Sequence, residues 1–264
     1  MKILCSDGRG EMDTSNCLSC ALSSGNPPCG FDYSLLKSLF NNNEQENRKN
    51  EIHVTDLTGC LLKAYYDKTN PPAEYVHEKL TRWMGNAVHT YAEASDEYMD
   101  SEIPLKHGGI VGKSDVVYKN GRVTDLKTSR WLYPSKLPYS SHALQVNIYA
   151  WMLRGMGREV SQLQIQYIDM SGPTKCRACR VPVRKIDGVI KCPTCLKTPS
   201  GAHLGAMLVN IDLMTDEEVE SRILERKEHL DASIQMGLAP EPEPGYLCPY
   251  CPSYNINCWP EASE

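Results

Sequence analysis

Apolar positions along the chain change period several times, and each change marks an element. From Val54, VTDLTGCLLKAYYDK carries Leu57, Leu61, Leu62 and Tyr65 at helical spacing, with Thr55 as the candidate cap, and predicts one helix. Thr81 to Met99 predicts a second helix, with Gly85, His89 and Glu93 at four-residue steps on one face. GGIVGKSDVVYKNGRVTDLKTS then alternates and turns at Lys119-Asn120-Gly121, a β-hairpin pattern. SHALQVNIYAWMLRGMG predicts a helix stopped by glycine, and QLQIQYIDM and AMLVNIDLM predict strands. TDEEVESRILERKEHLDASIQMG predicts a helix opened by Thr215 and Glu218 in capping-box register. This alternation predicts an α/β or α+β domain with a short mixed sheet.

Composition narrows the class. With 264 residues, 41% hydrophobic and 23% charged, the chain can bury a core, which excludes wholesale disorder, collagen and coiled coil. No apolar run reaches the length of a membrane span, and MKILCSDGRG lacks the apolar segment of a secretory signal, so a reducing cytoplasm is the expected compartment. The net charge of -5 argues against a chain coated with basic residues for nucleic acid. Twelve cysteines in that compartment need a reason other than disulfides.

The cysteines divide into three groups of four. Cys176, Cys179, Cys192 and Cys195 form two CxxC knuckles twelve residues apart, the spacing by which four thiolates surround one tetrahedral Zn²⁺. VPVRKIDGVIK lies between them and predicts a zinc-ribbon hairpin turning at Asp187-Gly188, inserted at 172–206. Arg177, Arg180, Arg184, Lys185 and Lys191 make this ribbon cationic and suited to phosphates or a protein partner. Cys5, Cys17, Cys20 and Cys29 predict an N-terminal zinc knuckle in a module at 1–40, because residues 1–30 are poor in large apolar side chains. A flexible tail with incidental thiols is the alternative. Cys248, Cys251 and Cys258 supply three ligands, and Cys60 is the remaining cysteine; spacing does not choose between Zn²⁺ and an iron-sulfur cluster there. The polar run NNNEQENRKNE at 41–51 reads as a linker to a main domain at 52–264.

The hairpin carries the candidate chemistry. Asp125 and Lys127 are two apart on a strand and share a face, while Leu126 points to the core. A three-residue loop with left-handed Gly121 pairs residues summing to 240, placing Asp115 across from Asp125 and Lys113 across from Lys127. A two-residue loop puts the two carboxylates on opposite faces. Close carboxylates repel unless a cation sits between them, and oxygen ligands suit Mg²⁺ or Mn²⁺. An exposed hairpin with solvated charges is the alternative on geometry alone.

Five short motifs in order are similar to the RecB-type branch of the PD-(D/E)XK nucleases: G-x-x-x-H at Gly85 to His89, G-x-x-D ending at Asp115, D-L-K at Asp125 to Lys127, and Q-x-x-x-Y at Gln145 to Tyr149, with the cysteine triplet behind them. The lone helix cysteine and that triplet resemble the cluster-bearing members, which include the adaptation exonuclease of CRISPR systems and nuclease domains of some helicase-nucleases. The resemblance implies a restriction-endonuclease-like mixed sheet flanked by helices. It implies that Asp115, Asp125, the Leu126 carbonyl and His89 bind Mg²⁺ or Mn²⁺, that Lys127 positions the attacking water, and that Gln145 and Tyr149 hold the site and the DNA strand. It further implies a [4Fe-4S] cluster on Cys60, Cys248, Cys251 and Cys258, single-stranded DNA ends as substrate, and an integrase or helicase as partner protein. Asp125 stands where the family often has Glu, and the ribbon and knuckle lie outside the common pattern. A non-catalytic zinc adaptor on a nuclease scaffold, binding nucleic acid or protein, is the competing function.

Overall fold

A computed structural model of the protein describes residues 2–5, 9–24, 29–40, 51–92, 97–130 and 132–245, together with 248, 251 and 258. The chain forms two compact units, Met1–Ala87 with Glu220–Glu264, and Val88–Val219. Among the described residues no helix is long and apolar enough to cross a membrane.

The first unit begins with β1 (Lys2–Cys5), β2 (Gly10–Asp13), α1 (Thr14–Ser24) and α2 (Tyr33–Phe40). It continues with β3 (Ile52–His53), α3 (Val54–Leu57), α4 (Leu61–Thr69), β4 (Glu74–Tyr75) and the start of α5 (Val76–Ala92). β1 pairs antiparallel with β2 and parallel with β4. Ile3, Cys17, Ala21, Leu36, Leu39, Phe40 and Val76 share one buried core, with Leu80 packed against it. The first forty residues therefore have apolar partners beyond the predicted linker, of which residues 41–50 lie outside the described ones.

The single helix expected from Val54 is two helices. Cys60 is extended (φ −69°, ψ 125°) and serves as the N-cap of α4, while the first turn of α3 is closed by Asp56, which accepts from the His53 amide at 2.7 Å. Thr55 therefore sits inside α3 and is not its cap. The break is stabilised by Arg226, whose guanidinium donates to the carbonyls of Leu57 and Gly59 and pairs with Glu243.

The second unit holds β5 (Met99–His107), β6 (Ile110–Tyr118), β7 (Arg122–Ser129), α6 (Ser140–Gly155), β8 (Gln162–Asp169) and β11 (Ala206–Ile211). The small hairpin β9 (Arg184–Ile186) and β10 (Val189–Lys191) lies between the last two. β5, β6, β7, β8 and β11 are neighbours in that order; only β7 and β8 run parallel. Parallel strands need a crossover, and α6 supplies it. Its residues Val146, Ile148, Ala150, Met152 and Leu153 are fully buried, as are Leu163 and Ile165 of β8 and Val123 of β7. The second expected helix starts and stops earlier than Thr81 to Met99, since Met99 opens β5; Glu93 lies outside the described residues. MDSEIPLKH has no clean alternation, so its strand state comes from the β6 ladder rather than from its own pattern. α7 (Asp216–Met236) opens with the expected reciprocal cap, Thr215 amide to Glu218 at 2.8 Å and Glu218 amide to the Thr215 hydroxyl at 3.2 Å.

Candidate active site

The turn between β6 and β7 decides which way the carboxylates face. Val116 pairs with Thr124 and Val117 with Val123, the register of the three-residue loop. Gly121 takes φ +83° and donates its amide to the Tyr118 carbonyl at 3.0 Å, a conformation that costs an L residue about 1–2 kcal/mol. Continued by one pair, this register sets Asp115 across from Asp125.

Asp125 is 1% exposed, and neither carboxylate oxygen accepts a hydrogen bond of good geometry. Lys127 Nζ lies 2.8 Å from Oδ2, an ion pair without hydrogen-bond geometry. Burial pushes the Asp125 carboxyl up to about 6, Lys127 opposes that rise and Asp115 adds to it. A buried acceptor-only group with orphaned oxygens is a position a cation completes. Asp115, also buried, accepts the Leu126 amide at 2.6 Å, tying the two strands at the site. His89, near the end of α5, brings Nδ1 to 3.5 Å from Asp115 Oδ1. That carboxylate, through its hydrogen bond, holds the imidazole above its ordinary value against the opposing effect of burial.

Gln145 and Tyr149 are buried one turn apart on α6, and the Gln145 amide donates to the Tyr149 hydroxyl at 2.7 Å. Two residues join this neighbourhood that the sequence reading passed over. β8 pairs Lys127 with Tyr167, so their side chains share a sheet face, and the Tyr167 hydroxyl lies 3.2 Å from His142 Nδ1. Burial, and then the charge of Lys127, pushes His142 down to about 4 and keeps it neutral. His142 stands three residues before Gln145, so helical spacing alone could have found it. Glu102 of β5 is the third addition: its carboxylate, His89 and Asp115 present ligand atoms within 4.8 Å of one another. Its signal was hidden with the strand that carries it.

Cys176, Cys179, Cys192 and Cys195 converge within 4.8 Å, with Cys176 and Cys195 sulfurs 3.8 Å apart. Hydrogen bonding from the Cys195 amide holds the Cys192 thiol down to about 6, which favours its thiolate form. Asp187 and Gly188 turn the intervening hairpin with φ +50° and +78°. In the first unit the Cys17 thiol is pushed up to about 11 by burial and then by Cys29, Cys5 and Cys20, against the opposing charge of Arg9. Cys258 is raised by burial and then by Cys251, Cys60 and Cys248. Four convergent thiols, as in the ribbon, fit a metal or cluster chemically; in the N-terminal group Arg9 donates to the Cys20 sulfur at 3.1 Å.

Comparison with solved structures finds SSO0001 at 18% identity, covering 83% of this chain and 92% of that one, with a TM-score of 0.48. The alkaline exonuclease LHK-Exo from Laribacter hongkongensis matches at 13% identity, covering 76% and 95%, with a TM-score of 0.40. A phage-related exonuclease from Haemophilus somnus 129PT matches at 10% identity, covering 73% and 99%, with a TM-score of 0.38. No curated protein matches the chain. The family model described as the PD-(D/E)XK nuclease superfamily matches residues 35–258, a span that contains the facing carboxylates, the strand lysine and the α6 pair. The chain belongs to the PD-(D/E)XK nuclease superfamily.

Proposed function

We propose that the protein is a divalent-metal-dependent deoxyribonuclease that hydrolyses phosphodiester bonds at single-stranded ends or overhangs, serving DNA capture in CRISPR adaptation or recombination and repair. The observation that carries this reading is the pair of facing carboxylates with one member buried and unsatisfied beside a lysine. Asp115, Asp125, His89 and the Leu126 carbonyl are the ligand set for Mg²⁺ or Mn²⁺. When bound, such an ion lowers the pKa of water and stabilises charge on a phosphoryl oxygen. Lys127, steered by Asp125, orients the attacking water and neutralises charge in the transition state. Gln145 and Tyr149, hydrogen-bonded to each other on one face of α6, hold the metal-site residues and the DNA strand.

The Cys60, Cys248, Cys251 and Cys258 group is read as a [4Fe-4S] clasp joining distant parts of the first unit. The ribbon and the N-terminal group are read as Zn²⁺ sites. The exposed Arg177, Arg180, Arg184 and Lys185 make the ribbon the surface for substrate phosphates or for an integrase or helicase partner.

The test is cleavage of an end-labelled single strand with Mn²⁺ by the parent and by Asp115→Ala. The expected loss is at least about 10²-fold. Equal rates would overturn the assignment in favour of a non-catalytic zinc adaptor. Anaerobically purified protein is expected to be brown; colourless protein with zinc at the Cys60 group would replace the cluster by Zn²⁺.

A further inference from the structure

We propose that Glu102 is an additional carboxylate ligand of the divalent ion, held ready by Lys113 until the ion arrives. This rests on the metal-site reading above and extends it by one residue.

Ser101 pairs with Val116 and Ile103 with Ser114, so Glu102 lies opposite Asp115 in the β5–β6 ladder. Cross-strand partners point to one face, and the β6–β7 register, continued by one pair beyond Val116 and Thr124, brings Asp125 to that face. The ligand atoms of Glu102, His89 and Asp115 lie within 4.8 Å of one another, the span of a single coordination shell with metal–oxygen distances of about 2.0–2.6 Å. The second, independent sign of a ligand is Asp125, which is 1% exposed and whose Oδ1 is left without a partner while Lys127 Nζ lies 2.8 Å from Oδ2. Glu102 also keeps φ +52° in a strand whose register is uninterrupted on either side, a conformation rare for a residue with a side chain.

The charges explain how the set survives without an ion. Asp115 is paired with His89 at 3.5 Å, Asp125 with Lys127 at 2.8 Å, and Glu102 with Lys113. The two lysines differ in freedom. The Lys113 side chain is 56% exposed against 21% for Lys127, so Lys113 can swing into solvent while Lys127 stays enclosed. Ion binding exchanges an ammonium for a divalent ion at Glu102 and leaves Lys113 at the rim, where a compact charge can meet a substrate phosphate. A set of carboxylates with one imidazole nitrogen favours Mn²⁺ over Mg²⁺.

The experiment titrates Mn²⁺ into the full chain and reads bound ion by electron paramagnetic resonance, without DNA, for the parent, Glu102→Gln, Lys113→Met and Asp115→Asn. Glu102→Gln is expected to weaken binding about tenfold or more, and Lys113→Met to tighten it by removing the competing ammonium. Should the Gln variant fail to fold, Glu102→Gly substitutes for it, since glycine adopts φ +52° without strain; the expectation is a higher Tm with weaker Mn²⁺ binding. Affinities of the Glu102 and Lys113 variants within about twofold of the parent, with Asp115→Asn defective, would overturn the role of Glu102 and leave the nuclease reading standing. A parent that binds no Mn²⁺ would overturn both.

Discussion

Two metal-ligand groups in the same unit, the ribbon thiols and the hairpin carboxylates, are assembled by opposite means. The ribbon's four sulfurs sit at the ends of two tight turns between Cys176 and Cys195 and converge within 4.8 Å. The hairpin's carboxylates come from separate strands, and each has its own basic partner: His89 for Asp115, Lys113 for Glu102 and Lys127 for Asp125. A thiol cluster held between two short turns depends on its ion for folding, because ion binding and local ordering are one event. A carboxylate cluster with built-in cations is preorganised by the sheet and can exchange its ion, as a catalytic centre must. On the function proposed above, the difference separates a structural site from a working one.

The sharpest way to break this contrast is at the ribbon. Cys192→Ser is expected to lose one Zn²⁺ per chain and to expose residues 172–206 to protease, since structural zinc contributes on the order of 10 kcal/mol to such folds. Metal analysis and limited proteolysis check it, and a ribbon that stays intact without metal would erase the distinction. DNA cleavage by the hairpin is expected to persist.

The next effect tests whether the hairpin site is preorganised around neutral His142. Its folded pKa of about 4 lies below the ordinary 6.5. The unfolded chain therefore takes up this proton first, and stability is complete above about 6.5 and lost as pH falls toward about 4, by up to ~3 kcal/mol. Denaturant midpoints of the parent at pH 7 and pH 4.5, compared with His142→Asn, are expected to show a smaller acid loss in the variant. An equal loss would place the acid sensitivity elsewhere.

Asp125→Asn probes the unsatisfied oxygens directly. Removing a buried charge that lacks donors is expected to raise metal-free stability by ~1–2 kcal/mol while cleavage collapses. Thermal melts beside the nuclease assay read both, and a destabilised variant would mean that Lys127 fully satisfies this carboxylate. Gly121→Ala is the smallest perturbation. Its Cβ meets the Ser161 hydroxyl at 3.1 Å and the Glu159 carbonyl at 3.2 Å at φ +83°, so a loss of ~1–2 kcal/mol is expected, with Mn²⁺ affinity falling if the register slips. Unchanged affinity at reduced stability would separate the turn's folding role from its control of the site.

The residues differ in how they could be read beforehand. Asp115 and Asp125 were legible because a three-residue loop sets the parity of every pair above it, and one glycine marks the loop. Thr215 and Glu218 were legible because a capping box is a local exchange of two hydrogen bonds. The break at Gly59 and Cys60 was not, because it depends on a guanidinium from Arg226, far along the chain. Glu102 stayed hidden because β5 has no strand pattern of its own and becomes a strand by pairing with β6.

By itself the sequence determined the ligand chemistry: which residues carry thiols and carboxylates, the turns that close the ribbon, and the face shared by Asp125 and Lys127. Those are consequences of spacing within a few residues, where bond geometry leaves little choice. Only the tertiary structure decided that Glu102 faces Asp115, that His142 reaches Tyr167 beside Lys127, and that the first forty residues share a core with Val76. Such proximities are set by pairing and burial summed over whole strands and helices, and no local pattern encodes that sum.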